Sequence, residues 1–210
     1  TKADVNFLQG MIVHHDQAVL MSRLAEDRTN NKTIVDLAKR IESSQIDEIN
    51  FMRSWLKERN ENAFPDHQNH HMHMKMMGMA SEKQLKDLKN SKSTKFDRLF
   101  LSLMIAHHDG ALEMVKDLKK YPGSAYDPIL NEFVSDLVND QGVEIERMNI
   151  IAVGLSDDPR AGLTGGLYIA DEAILNLELV ASLKKPVGFF DPNNPEERGS
   201  EDLSEDNENK

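Results

Sequence analysis

The sequence predicts an all-α protein, a four-helix bundle built from a duplicated helical hairpin, and three observations predict it. A segment that begins at Phe7 matches one that begins at Phe100, at an offset of 93 residues. A second pair of matching segments begins at Gln45 and Gln141, at an offset of 96 residues. In these segments the apolar residues recur at steps of three and four, which is the spacing of one helical face.

Each copy of the repeat therefore predicts two helices joined by a loop. The copies cover residues 5–59 and 97–153. A single hairpin leaves its apolar face in water, so we expect the two copies to pack together with the repeated faces inside.

Helix boundary signals agree with this interpretation. Asp127 and Pro128 predict an N-cap followed by a proline in the first helical turn. Ser81 and Gln84 have the spacing of a capping box, which predicts a short extra helix near residues 81–90. Gly154 follows the last periodic stretch.

The bundle is predicted to occupy residues 1–159. The repeats are separated by a linker, residues 60–96, that is too long for a plain bundle turn. Residues 160–210 are predicted to form an irregular extension with an acidic tail. The aliphatic side chains of this extension support an alternative function, a structural or interaction module of the cell envelope that binds an envelope protein or a second copy of the chain.

Composition excludes several classes of function. A net charge of -11 argues against binding to nucleic acid or to an anionic membrane surface. No apolar run reaches the roughly 18 residues that a membrane span needs. The chain has no cysteine, so disulfides, thiolate metal sites and catalytic thiols are excluded. A start at Thr1 suits a periplasmic or extracellular protein that has lost its signal peptide, and a truncated chain would look the same.

The linker contains a segment rich in methionine and histidine. Thioether sulfur is a soft ligand that suits Cu(I) and Ag(I), and imidazole suits copper in both oxidation states. The segment therefore predicts a copper site, with Cu(I) favoured and Ag(I) as its mimic; a loop that covers apolar surface, or a cloning-related histidine stretch, is the alternative. The predicted ligands here are His67, His70, His71, Met72, His73, Met74, Met76, Met77 and Met79.

The first helix of each repeat carries a second candidate set of ligands. In both copies a methionine stands three and four residues before a pair of histidines, so the thioether and imidazoles share one helical face. The predicted ligands are Met11, His14, His15, Met104, His107 and His108. Residues of the partner helices are expected to orient these ligands or to complete the site, namely Gln45, Glu48, Met52, Gln141, Glu144 and Met148. Buried core histidines and core methionines without any metal are the alternative interpretation.

The motif Phe-x-x-x-Met-Ile-x-His-His-x-x-Ala-x-x-Met occurs twice, and Gln-x-x-Glu-Ile-x-x-Met follows it both times. Over residues 5–153 the chain resembles the domain of unknown function 305 family. This resemblance implies a ferritin-like four-helix bundle that is usually exported. It also implies copper chemistry, because some relatives are periplasmic copper-binding proteins that support copper tolerance.

The leading prediction is an exported soft-metal binding protein, not an enzyme, that sequesters, buffers or delivers copper without turnover. A di-iron enzyme of the ferritin type is a less favoured alternative, because such centres use Glu-x-x-His motifs. Phe51 stands three residues after Glu48, and Arg147 stands three residues after Glu144. The sequence therefore lacks the ligand spacing that a di-iron site requires.

Overall fold

The computed structural model describes residues 1–64, 77–158 and 160–163. Contacts within the chain group Thr1–Gly162 into one compact unit and Leu163–Lys210 into another. All the helices described below belong to the first unit. The extension predicted at residues 160–210 lies outside the described residues, apart from 160–163, and it stays a prediction.

The described part of the chain is helical and contains no strand, so the predicted all-α class is confirmed. Within it, no helix combines the length and the apolarity that a membrane span requires. A short second helix, between the two long helices of the first repeat, was not predicted. The helices are α1 (Lys2–Ser22), α2 (Ala25–Arg28), α3 (Lys32–Glu58), α4 (Glu82–Asn90), α5 (Ser93–Leu118) and α6 (Pro128–Gly154).

The predicted capping residues begin their helices as expected. The Asp127 carboxylate accepts hydrogen bonds from backbone N–H groups at the start of α6, and Pro128 is the first residue of that helix. Ser81 and Gln84 form the predicted capping box at the start of α4. These local contacts satisfy backbone donors that have no partner inside the helix.

The long helices pack in pairs that correspond to the sequence repeats. Helix α1 packs against α3, and α5 packs against α6. The two pairs meet through their first helices, because α1 also contacts α5. The histidine-bearing helices of both repeats therefore lie side by side inside the bundle.

The buried apolar side chains form two separate clusters, which we call cluster I and cluster II. In each long helix, the buried apolar residues of one end belong to cluster I and those of the other end belong to cluster II. Val19 is the exception, because it belongs to cluster I although it lies in the cluster II half of α1. Cluster I contains Phe7, Leu8, Met11, Ile12, Val19, Ile49, Met52, Trp55, Leu56, Ala111, Val115, Leu118, Ala125, Leu130, Phe133, Val134 and Leu137. Cluster II contains Ala18, Met21, Ala25, Ile34, Leu37, Ala38, Ile41, Ala80, Leu88, Phe96, Phe100, Leu101, Leu103, Met104 and Met148.

The order of the clusters along each helix gives the helix directions. Helices α1 and α6 run from cluster I to cluster II, and α3 and α5 run from cluster II to cluster I. Helix α1 is therefore antiparallel to α3 and to α5, and α5 is antiparallel to α6. This arrangement brings the middle of every long helix to the same level, between the two clusters.

Candidate metal centre

A layer of polar side chains separates the two apolar clusters, and we call it the polar layer. Every long helix supplies two of its residues at the point where the helix passes from one cluster to the other. Seven of the eight side chains belong to buried residues, and the Glu48 side chain is 13% exposed. The polar layer consists of His14 and His15 of α1, Gln45 and Glu48 of α3, His107 and His108 of α5, and Gln141 and Glu144 of α6.

The inner histidines of the two repeats contact each other across the bundle. The ring centroids of His14 and His107 lie 3.7 Å apart, and the ring planes are inclined by 32°. The Nε2 atom of His107 donates a hydrogen bond of 2.8 Å to the His14 carbonyl oxygen. The Nε2 atom of His14 donates one of 3.1 Å to the Met77 carbonyl oxygen. Since a carbonyl oxygen only accepts, each Nε2 carries a hydrogen.

The outer histidines each contact a glutamate of the neighbouring helix in their own repeat. The Nε2 atom of His15 donates to the Glu48 carboxylate. The Nε2 atom of His108 donates to the Glu144 carboxylate, at 2.6 Å. A carboxylate or a carbonyl on one ring nitrogen is the usual way in which proteins orient a histidine whose other nitrogen binds a metal.

All four imidazoles keep one ring nitrogen without a partner. Their Nε2 atoms are engaged as described, and their Nδ1 atoms are buried without a hydrogen bond. Buried polar atoms are nearly always paired in proteins, so these four ring nitrogens need an explanation, as do the unpaired side-chain amide atoms of Gln45 and Gln141 in the same layer. A neutral imidazole with a free lone pair is the form of histidine that binds metal ions. The inner histidines, which burial keeps neutral, therefore each offer a ring nitrogen that a metal such as copper could bind.

Burial keeps the inner pair uncharged. Burial, and then the neighbouring His15, lower the pKa of His14 to about 3. Burial, and then the adjacent His14 ring, lower the pKa of His107 well below its ordinary value. At neutral pH a metal ion would therefore not have to displace a proton from the Nδ1 atom of either ring.

The predicted methionine ligands of the helices lie on both sides of the polar layer. Met11 and Met104 are fully buried, the first in cluster I and the second in cluster II. Met52 and Met148 are divided between the clusters in the same way. The structure thus brings the four histidines together, with one methionine-bearing turn of helix next to each histidine pair.

Most of the predicted loop ligands fall outside the described residues. Met77 is 42% exposed, and Met79 is half-buried. Among the described residues, no group of three histidine, aspartate or glutamate side chains is placed to hold a metal ion. The predicted ligands that lie outside the described residues are His67, His70, His71, Met72, His73, Met74 and Met76.

Two residues next to the polar layer were not singled out from the sequence. Gln17 and Gly110 occupy equivalent positions of the two repeats, and both contact the end of the linker. The Gln17 amide exchanges two hydrogen bonds with the backbone of Ala80, of 2.7 Å and 3.0 Å. Gly110 lies against the backbone of Met77. A glycine in the middle of a periodic helix, aligned with a glutamine of the other copy, was the signal available in the sequence.

The fold and the polar layer define an all-helical protein with buried, metal-compatible histidines. The chain belongs to the family described as domain of unknown function (DUF305), whose model matches residues 4–152. The family expected from the repeated motifs is therefore confirmed.

Solved structures of this family share the fold. A DUF305 protein from Streptomyces coelicolor is 28% identical, with a TM-score of 0.65 over 73% of this chain and 92% of that one. CopM in its Cu(II)-bound form is 27% identical, with a TM-score of 0.59 over 73% of this chain and 97% of CopM. CopM in its Cu(I)-bound form is 26% identical, with a TM-score of 0.56 over 70% of this chain and 94% of CopM.

A curated relative matches a shorter stretch. The uncharacterized protein L153 of Acanthamoeba polyphaga mimivirus is 46% identical over 56 residues. The match covers 27% of this chain and 37% of the viral protein.

Acidification should destabilise the metal-free protein. The unfolded chain protonates histidine near the ordinary pKa of 6.5, whereas folded His14 stays neutral down to a pKa of about 3. The unfolded state therefore binds more protons, and the free energy of unfolding falls as the pH drops through this window. From pH 7 to pH 5 the expected loss from His14 is about 2 kcal/mol, and the lowered pKa of His107 adds a loss of the same sign. Urea denaturation with a chelator present measures the loss, and H14Q should remove the His14 contribution from the pH dependence.

The carboxylate partners should stabilise the polar layer. Glu144→Ala leaves the Nε2–H group of His108 buried without an acceptor, so we expect a loss of about 1–3 kcal/mol in the free energy of unfolding. Glu144→Gln keeps an acceptor oxygen and should cost less. Glu146→Ala, on the exposed face of the same helix, is the matched control. Equal denaturation midpoints for the Glu144→Ala and Glu146→Ala variants would contradict the role given to this contact.

Proposed function

We propose that this protein binds copper as a cargo ion, with Cu(I) favoured, through the imidazoles of the polar layer. The observation that carries the proposal is the set of four buried Nδ1 atoms without hydrogen-bond partners. Leaving a buried acceptor unpaired costs about 1–3 kcal/mol. The lack of hydrogen-bond partners for these four Nδ1 atoms is explained if the atoms serve as metal ligands.

The hydrogen-bond partners of the histidines support the same proposal. A metal-binding histidine usually donates its second ring nitrogen to a carboxylate or a carbonyl, which fixes the ring and its tautomer. His15 and His108 use carboxylates in this way, and His14 and His107 use carbonyls. The metal-free protein therefore already holds His14 and His107 in the tautomer that binding needs.

The available donor atoms favour a soft ion over zinc or magnesium. Zinc sites usually take four nitrogen, sulfur or oxygen ligands, and magnesium takes about six oxygens. Among the described residues no three histidine or carboxylate side chains are placed to hold any metal ion, so a site there needs donors of another kind. Met11 and Met104 lie one helical turn from the histidine pairs, and thioethers suit Cu(I). We propose sites that combine imidazole with thioether, helped by the methionines and histidines of the linker.

The comparisons support copper as the ion and export as the location. CopM, which shares the fold, has been solved with Cu(I) and with Cu(II) bound. The related DUF305 protein from Streptomyces coelicolor is named as a candidate secreted protein. We therefore propose a periplasmic or extracellular protein that sequesters, buffers or delivers copper without turnover. The alternative of an envelope interaction module depends on residues 160–210 and stays a prediction.

A Cu(I) titration against a chromophoric chelator tests the proposal. A layer variant, with His14, His15, His107 and His108 replaced by glutamine, should lose at least one bound ion or about tenfold in affinity. A linker variant, with Met72, Met74, Met76, Met77 and Met79 replaced by leucine, should keep the ions held by the polar layer.

Controls make this titration decisive. Met114→Leu, at a half-buried position outside the predicted ligand set, should bind as the unmodified protein does. Circular dichroism shows whether the layer variant keeps its helices. The proposal fails if the unmodified protein binds Zn(II) and ignores Cu(I) and Ag(I). The assignment to the polar layer fails if a folded layer variant binds copper normally.

A further inference from the structure

The end of the linker is docked onto the polar layer, and this contact is the basis of a further inference. Residues 77–80, which we call the docking segment, lie against α1 and α5. They follow directly on the methionine- and histidine-rich part of the linker. Their contacts fall on equivalent positions of the two repeats, Gln17 and Gly110, and the two positions hold the segment by different means.

Gln17 holds the docking segment through hydrogen bonds. Its Oε1 atom accepts a bond of 2.7 Å from the Ala80 backbone N–H, and its Nε2 atom donates one of 3.0 Å to the Ala80 carbonyl oxygen. The side-chain amide thus pairs with both polar groups of one backbone residue. Ala80 itself is buried in cluster II, so its backbone groups have to be satisfied by protein partners.

Gly110 holds the segment through close backbone contact. A Cβ atom at Gly110 would lie 1.9 Å from the Met77 carbonyl oxygen and 2.8 Å from the Cα atom of Gly78. A Cβ atom at Gly78 would in turn lie 2.1 Å from the Ala106 carbonyl oxygen. Gly78 also has a φ of +79°, a region that disfavours other residues. Two facing glycines therefore allow this approach, and any side chain at either position would block it.

The docking segment supplies one of the four contacts that orient the histidines. The Met77 carbonyl oxygen accepts the hydrogen bond from His14 Nε2 at 3.1 Å. The other three histidines bond to residues of the long helices themselves. His14 is thus the one histidine of the polar layer whose tautomer is set by the linker.

We propose that Gln17 and Gly110 are positioning residues of the metal centre. They dock residues 77–80, so that the Met77 carbonyl holds His14 in its Nε2–H form and leaves the Nδ1 lone pair available to Cu(I). This inference rests on the proposed function. It also means that residues 77–80 are held beside the buried histidines.

The test compares Gly110→Ala and Gln17→Ala with Gly142→Ala. The control adds the same methyl group in the middle of a long helix, where nothing lies within 4 Å of it. In the metal-free protein, long-range nitrogen-15 spectra report the tautomer of each histidine. Hydrogen exchange reports the protection of the Ala80 amide.

Both test variants should change the tautomer of His14 and leave the tautomers of the other three histidines of the polar layer unchanged. We expect mixed His14 tautomers and about 10- to 30-fold faster exchange of the Ala80 amide, since two hydrogen bonds are lost in Gln17→Ala. The affinity for Cu(I) or Ag(I) should fall about fivefold or more, and Gly142→Ala should stay within about twofold of the unmodified protein. Because alanine is the best helix former, Gln17→Ala tests the inference even if Gly110→Ala does not fold.

The outcomes separate this inference from the proposed function. If the unmodified protein binds neither Cu(I) nor Ag(I), the proposed function fails, and the role of these residues at a metal centre fails with it. If the unmodified protein binds Cu(I) but the variants keep a protected Ala80 amide, a single His14 tautomer and full affinity, only the positioning role is overturned.

Discussion

The burial of four imidazoles between two apolar clusters is the constraint on which the rest of this structure depends. An imidazole that leaves water needs a partner for its N–H group, or folding becomes less favourable by about 1–3 kcal/mol. Glu48 and Glu144 meet this need for the outer histidines, and two carbonyl oxygens meet it for the inner pair. These contacts fix the rings, and they leave every Nδ1 atom unpaired, as a candidate ligand.

The similarity of the two helix pairs explains why both contribute equivalent residues to the polar layer. A difference between them, at positions 17 and 110, explains why the docking segment binds there. Antiparallel packing of α1 and α5 brings His14 against His107, and α3 and α6 each place a glutamate next to the remaining histidine of the pair. Perfect equivalence would require the same residue at positions 17 and 110. Glutamine at one and glycine at the other create a surface that binds residues 77–80 by hydrogen bonds on one side and by close packing on the other.

Sequence patterns predicted the features that depend on local spacing. The long helices, the cap at Asp127 and the inward histidines follow from periodicity and capping chemistry, which act within a few residues. The stacking of His14 on His107 depends on how closely two distant helices approach, and no motif encodes that distance. The docking segment was missed for a similar reason, because its position depends on a glycine pair, Gly78 and Gly110, that only the folded chain brings together.

If the protein binds copper as proposed, the unpaired ring nitrogens link that binding to the stability of the fold. In the metal-free protein each buried Nδ1 atom lowers the free energy of unfolding, because the same atom would be hydrated in the unfolded chain. An ion that binds these atoms only in the folded state removes that penalty and adds its own binding energy. Since burial keeps His14 and His107 neutral, this gain requires no release of protons from their Nδ1 atoms at neutral pH. A bundle that carries such a layer is therefore less stable alone than a wholly apolar one, and it is suited to a cargo that stabilises it.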